Sequence, residues 1–202
     1  MKRKLLIGDD HPMIRKGLRV LFDHYFGDIE VKEACSCNEI MTELSHSHYS
    51  HLLLDVVLSD GTILEILPNI VSLYPHVKIS IFSVQPAVIY RPVMKKYGIH
   101  FYISKTSVED AIIVLLGEFL NNGCPPREEV FLSVPENPFS LLTARELEIL
   151  HYILKGMGSN EIGRILNIKY NTVSTARSSI YEKSHTNNIT ELFELALRYN
   201  VG

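Results

Sequence analysis

The sequence predicts an α/β protein, a doubly wound five-stranded parallel sheet followed by a small all-α domain. Three observations carry that expectation. Short apolar runs alternate with helix-length segments through the first 120 residues, a proline-rich stretch then breaks the pattern, and no strand-like run recurs beyond it. The runs are continuous, as parallel strands covered on both faces require.

In order, the strand-like runs are "KLLIG" (Lys4 to Gly8), "IEVKEA" (Ile29 to Ala34), "HLLLD" (His51 to Asp55), "KISIFS" (Lys78 to Ser83) and "FYIS" (Phe101 to Ser104). Helical spacing fills the segments "HPMIRKGLRVLFDHYF", "NEIMTELSH", "TILEILPNIVSLY", "PAVIYRPVMKKYG" and "SVEDAIIVLLGEFL". Such alternation argues for βα units wound on both faces of one sheet. Residues 121–138, "NNGCPPREEVFLSVPENP", hold four of the nine prolines and read as a linker between domains at 1–120 and 139–202. The second domain offers "TARELEILHYILKG", "SNEIGRIL", "NTVSTARSSIYEKS" and "TELFELALRY". "TSVE" (Thr106 to Glu109) and "TARE" (Thr143 to Glu146) read as capping boxes, where the threonine hydroxyl and the glutamate satisfy first-turn amides.

Composition bounds the function. A chain that is 46% hydrophobic and 21% charged is an ordinary soluble protein, and no apolar run approaches a membrane span. "MKRKLLIGDD" reaches acids too early for a signal peptide, and three cysteines (Cys35, Cys37, Cys124) fit a reduced, cytoplasmic protein. Net charge is −3, with 12 basic and 14 acidic side chains before residue 120 and 8 and 9 after it. Neither half is a basic block, so any nucleic-acid role must rest on a motif. The histidines of "HSHYSH" (His46 to His51) read as solvated, and Cys124 has no activating neighbour.

In an open parallel sheet, ligands gather at the carboxyl ends of the strands. Those ends carry Asp9-Asp10, Asp55, Ser83 and Ser104-Lys105. Each alone reads equally as a cap or a turn residue; together they suggest a site. Clustered carboxylates call for a hard divalent cation with oxygen ligands, most plausibly Mg²⁺. A lysine and a hydroxyl suit phosphoryl oxygens, so phosphoryl transfer onto Asp55 is the favoured chemistry.

"LLIGDDHPMIRKGL", "LLLDVVLSDGTILEIL", "IFSVQP" and "FYISKTS", with the spacings from Asp55 to Ser83 and on to Lys105, resemble the flavodoxin-like receiver domain of two-component response regulators. The resemblance implies that Asp9, Asp10, Asp55 and the Val57 backbone carbonyl hold Mg²⁺. It also implies that Asp55 takes a phosphoryl group from a sensor histidine kinase, with Ser83, Tyr102 and Lys105 responding to it. Ser59 and Ile63 stand where that family usually has proline and glycine, so the loop after Asp55 is expected to differ in shape.

"LLTARELEILHYILKGMGSNEIGRILNIKYNTVSTARSSIYEK" resembles the LuxR-type helix-turn-helix, and the pair of domains is similar to NarL/FixJ-type response regulators. By that resemblance "NTVSTARSSIYEK" is a recognition helix lying in the major groove of double-stranded DNA. Asn171, Ser174, Thr175, Arg177 and Ser178 are expected at the groove, Arg177 being the candidate for guanine. Lys169, Thr172 and Lys183 are expected at phosphates. Ile162, Leu166, Ile168, Val173 and Ile180 read as core. Residues 140–202 carry seven basic and six acidic side chains, so a monomer should bind weakly and a homodimer compensate. Leu192, Phe193, Leu195 and Ala196 offer an apolar face, of which part packs on its own domain and the remainder would dimerise. The expectation is a DNA-binding transcription regulator, not a free enzyme, switched by phosphorylation of Asp55. Its rivals are a phosphate-independent regulator and an adaptor that has lost DNA.

Overall fold

The computed structural model describes residues 3–121 and 137–201. The expected linker, 121–138, falls almost wholly outside them, as does Cys124. Among the described residues the chain divides into two compact units, 3–84 with 94–121 and 85–93 with 137–201.

The sheet of the first unit contains β1 (Arg3–Gly8), β2 (Ile29–Ala34), β3 (His51–Leu54), β6 (Lys78–Ser83) and β7 (Phe101–Ser104), all parallel, in the order β2-β1-β3-β6-β7. The strand order reverses at β1 and β3, the place where doubly wound sheets open a crevice for ligands. Helices α1 (Pro12–Tyr25), α2 (Cys37–His46), α3 (Ile63–Leu73), α4 (Ala87–Lys95) and α5 (Glu109–Leu120) follow the strands in turn. A short hairpin, β4 (Val57–Leu58) with β5 (Gly61–Thr62), lies between β3 and α3 and was not expected from the sequence.

Strand parity sorts the core. Leu5, Ile7, Ile29, Val31, Leu53, Phe82 and Ile103 form one cluster with Leu18 and Phe22 of α1 and Leu116, Phe119 and Leu120 of α5. The alternate strand residues Leu6, Leu52, Leu54 and Ile81 are fully buried on the opposite face. Burial on both faces is why the runs are continuous in sequence.

Helix starts follow their caps. Ser36 accepts from the Glu39 amide to open α2, and Glu65 Oε1 accepts from the Thr62 amide at 3.0 Å to open α3. The expected "TSVE" box does not form. Thr106 Oγ1 is hydrogen-bonded to Ser104 Oγ at 2.8 Å, and α5 begins two residues later, from Val108 as N-cap.

From residue 137 on, the described chain is all helical: a 3₁₀ turn (Pro138–Leu141), then α6 (Ala144–Leu154), α7 (Ser159–Ile165), α8 (Tyr170–Ser184) and α9 (Ile189–Arg198). Its interior holds Phe139, Leu147, Leu150, Ile162, Val173, Ile180, Leu192 and Ala196. Leu166 and Ile168, also read as core, are half-buried. The "TARE" box forms: the Glu146 amide donates to Thr143 Oγ1 at 3.3 Å, and the Thr143 amide to Glu146 Oε2 at 2.7 Å.

His51, in β3, is buried with its ring edge-on to Phe119 at 5.1 Å, and Nε2 finds no partner. Burial, aided by the charges of Lys78 and Arg3, pushes its pKa down to about 4. Between the ordinary value near 6.5 and 4, the unfolded chain binds a proton that the fold refuses, so stability falls as pH falls through that window. We expect a loss approaching about 3 kcal/mol from this residue. Urea unfolding at pH 7 and pH 5 should show a shallower loss in His51→Phe than in the natural chain.

Candidate phosphoryl site and DNA-facing helix

The hydrogen-bond ladder of the sheet runs one residue past the strands and sets out the site. Asp9 N donates to Ala34 O at 3.0 Å, Asp55 N to Gly8 O at 2.8 Å and Lys105 N to Ser83 O at 2.9 Å. The backbone therefore fixes where Asp9, Asp55 and Lys105 leave the sheet. Gly8 is held just as tightly: a Cβ there would meet Ile40 Cδ1 at 2.6 Å and Leu54 Cδ2 at 2.8 Å.

Asp55 is 3% exposed, at the end of three leucines. Its Oδ1 accepts from Ser83 Oγ at 2.5 Å and from the Val56 amide at 2.6 Å. Its Oδ2 accepts from Lys105 Nζ. That ammonium also lies 2.6 Å from Asp9 Oδ2. Burial raises the Asp55 pKa above the ordinary carboxylate value, against the lowering effect of Lys105 and Ser83.

Asp9, Asp10, His11 and Asp55 each place one donor atom within 4.8 Å of the others. Asp9 Oδ2 and Asp10 Oδ1 are buried and accept no hydrogen bond. Lys105 Nζ lies 2.6 Å from Asp9 Oδ2, and His11 Nδ1 lies 2.8 Å from Asp10 Oδ1. Carboxylate oxygens buried in one cluster without hydrogen-bond donors of good geometry suit a hard divalent cation, so the donor set fits Mg²⁺. Val57, two residues beyond Asp55, begins the β4 strand. Tyr102 is buried in β7, opposite Ile81.

The residues that depart from the expected loop pattern are put to use. Ser59 Oγ donates to Cys35 O at 2.9 Å, and Asp60 accepts from the amides of Cys37 and Asn38 at 2.7 and 3.0 Å. The β4–β5 hairpin is thereby pinned to the start of α2. Ile63 is fully buried, and its amide donates to Val56 O at 2.9 Å. On the other side of β1, Arg15 of α1 donates to the Asp9 carbonyl at 2.6 Å and is gripped by Glu33 of β2 at 3.1 Å.

In the second unit, α7 and α8 are joined by a turn in which Asn167 takes φ 51°, a left-handed conformation that asparagine tolerates. Ile168 N donates to Gly163 O at 2.8 Å, and a Cβ on Gly163 would stand 2.9 Å from Ile168 O. Of the expected DNA contacts, Lys169, Asn171, Thr172, Thr175 and Ser178 are exposed, while Ser174 and Arg177 are half-buried. Arg177 Nε donates to Tyr181 OH at 3.0 Å, with the guanidinium over that ring. Lys183 departs from expectation: its ammonium donates to both Glu146 oxygens, at 2.8 and 2.7 Å. That pair ties the last turn of α8 to the first turn of α6. On α9, Leu192 and Ala196 are buried, Phe193 and Leu195 half-buried and Leu197 exposed.

Residues 5–116 match the response regulator receiver domain, and residues 140–196 match the luxR family of bacterial regulatory proteins. The chain belongs to the response regulator family. Its receiver and LuxR-type DNA-binding domains, in that order along the chain, are those of a NarL/FixJ-type response regulator. It is 29% identical over 216 residues to the oxygen regulatory protein NreC of Staphylococcus epidermidis, covering 96% of this chain and 97% of that one. It is 26% identical over 211 residues to the response regulator UvrY of Escherichia coli, covering 98% and 94%. RcsB of Salmonella enterica, solved on the promoter P1flhDC with the phosphomimetic BeF₃⁻, shares the fold with a TM-score of 0.81 at 19% identity, covering 96% of this chain and 98% of that one. No helix among the described residues is long and apolar enough to cross a membrane.

For this response regulator, sequence reasoning missed His11, Arg15 and the Ser59–Asp60 brace. Arg15 and Arg19, four apart on α1 and both paired with Glu33, left a spacing signal; the brace left none. Glu146 was legible as a cap but not as the hub it is. Burial raises its pKa, but Lys183, Ser179 Oγ at 2.6 Å and the Thr143 amide outweigh that and bring it down to about 2. A carboxylate lowered in the fold stabilises above its unfolded value near 4.5, and that contribution is lost as pH falls from there towards 2. Glu146→Gln should cost about 2 kcal/mol at pH 7, and the gap from the natural chain should close as the pH of denaturant unfolding approaches 2.

Proposed function

We propose that this chain is a cytoplasmic transcription regulator whose Asp55 accepts a phosphoryl group from a sensor histidine kinase, with Mg²⁺ as cofactor. The observation that carries the reading is the Asp55 carboxylate, buried at the end of β3 and gripped by Lys105 and Ser83 within reach of Asp9 and Asp10. In the transfer, an Asp55 oxygen forms the new O–P bond as the N–P bond to the kinase imidazole breaks, and the imidazole leaves. Lys105 supplies positive charge to the incoming phosphoryl oxygens, and Ser83 donates a hydrogen bond. When bound, Mg²⁺ neutralises further phosphoryl charge. Asp9, Asp10, Asp55 and the Val57 carbonyl would hold it. Tyr102 and Lys105 then respond to the added charge as in other receivers. Among the described residues the only group set suited to catalysis acts on the protein itself, so we read the chain as a regulator and not a free enzyme.

The domain limits that go with this reading are 1–120 for the receiver, 121–138 for the linker and 139–202 for the DNA-binding domain. DNA contact falls to Asn171, Ser174, Thr175, Arg177 and Ser178 at base edges, with Lys169 and Thr172 at phosphates. RcsB has been solved as two dimers on two parallel DNAs. A homodimer here would make up for a nearly neutral DNA-binding domain.

Intact mass after incubation with Mg²⁺ and a small phosphodonor tests the switch. A single phosphoryl adduct is expected on the natural chain and none on Asp55→Asn; no adduct on either, or adducts on both, would overturn the assignment. For DNA, Arg177→Ala should cost about 1–3 kcal/mol at its cognate promoter and relax preference at one base pair. Lys169→Ala should weaken binding evenly across sequences and flatten its salt dependence.

A further inference from the structure

His11 belongs to the carboxylate cluster by position, yet no role in phosphoryl transfer accounts for it. It occupies the N-cap of α1, where serine, threonine, aspartate or asparagine ordinarily satisfies a first-turn amide. Its ring makes no capping hydrogen bond. The side chain is 65% exposed, so packing does not hold the ring in place. It is turned to the acids all the same, with Nδ1 2.8 Å from Asp10 Oδ1 and 3.3 Å from Asp9 Oδ1. Asp10 Oδ1 accepts no hydrogen bond of good geometry, so the ring faces the acids without being locked to either of them. Donor atoms from Asp9, Asp10, His11 and Asp55 already stand within 4.8 Å of one another. Ligands bound at about 2.1 Å stand roughly 3 Å apart when adjacent and about 4.2 Å when opposite.

The geometry points to His11 as a nitrogen ligand of the cation site, which makes this receiver accept borderline first-row divalent cations more readily than an all-oxygen receiver would. The inference rests on the cation site of the proposed function and adds a ligand to it. Carboxylate and carbonyl oxygens suit Mg²⁺, whereas an imidazole raises affinity for cations such as Co²⁺. Mg²⁺ gains little from the ring, because it keeps water in preference to nitrogen.

Two measurements on the full chain test it. The first is the pulsed EPR spectrum of bound Mn²⁺, which reads directly whether an imidazole nitrogen is coordinated. The second is calorimetric titration with Co²⁺ and with Mg²⁺, for the natural chain, His11→Ala and Asp10→Asn. The expected result is a nitrogen coupling on Mn²⁺ that disappears in His11→Ala. Co²⁺ affinity should fall by about tenfold in that variant while Mg²⁺ affinity hardly changes. Because the ring is exposed and caps nothing, the variant should fold as the natural chain does. Absence of the nitrogen coupling, or equal weakening of Co²⁺ and Mg²⁺, would overturn the role of His11. If Asp10→Asn still abolished binding, the cation site itself would stand. Failure of the natural chain to bind any of the three cations would overturn both together.

Discussion

One ammonium shared between two buried carboxylates is the constraint on which the receiver site depends. Lys105 Nζ meets Asp9 and Asp55 where the three side chains are 5%, 2% and 4% exposed. A carboxylate withdrawn from water without a partner costs several kcal/mol, so neither acid can sit at its strand end unless the lysine arrives there too. Arrival depends on backbone: Asp9, Asp55 and Lys105 each take the last ladder hydrogen bond of their strand. The sheet is thus the ruler that sets charge against charge, and the cores on its two faces keep that ruler in register. Ser83, one strand over from Asp55, completes the grip because β6 lies between β3 and β7.

The helical unit answers the same electrostatic problem in a different way. Glu146 begins as a helix cap and ends as the anchor of α8, since Lys183 and Ser179 reach back to it across more than thirty residues of chain. A carboxylate with three kinds of donor is well satisfied even when buried. Arg145, beside it, pairs with Glu148 and so stabilises α6 locally. Helix α8 is thus held through its last two turns by a charge network, while Asn171, Thr172, Thr175 and Ser178 stay exposed.

Much of this was legible in the residues. The five apolar runs became the five strands with the same order of use, because a strand buried on both faces has no polar positions to disguise it. Strand-end acids, serine and lysine were legible as a group for the same reason: the fold class alone says that those ends converge. The β4–β5 hairpin was not legible, since strands of two residues are too short to show a period. "TSVE" misled because Thr106 had a nearer partner in Ser104, a competition that spacing does not reveal. The Lys183–Glu146 pair was not legible, because nothing in sequence announces a partner 37 positions earlier. His11 was hidden in plain view, as an N-cap residue whose side chain declines to cap.

Both units close around a residue with no side chain. Gly8 leaves no space for a methyl between β3 and α2, and Gly163 none beside the Ile168 carbonyl in the turn that leads into α8. In the DNA-binding unit this separates what can vary from what cannot. The exposed positions 171, 172, 175 and 178 meet little of their own protein and are open to exchange. The angle at which they are presented is set by Gly163, which is not. On the proposed reading of α8, a lineage of such regulators could acquire new promoters by rewriting the outer face of one helix, provided that this one glycine stays where it is.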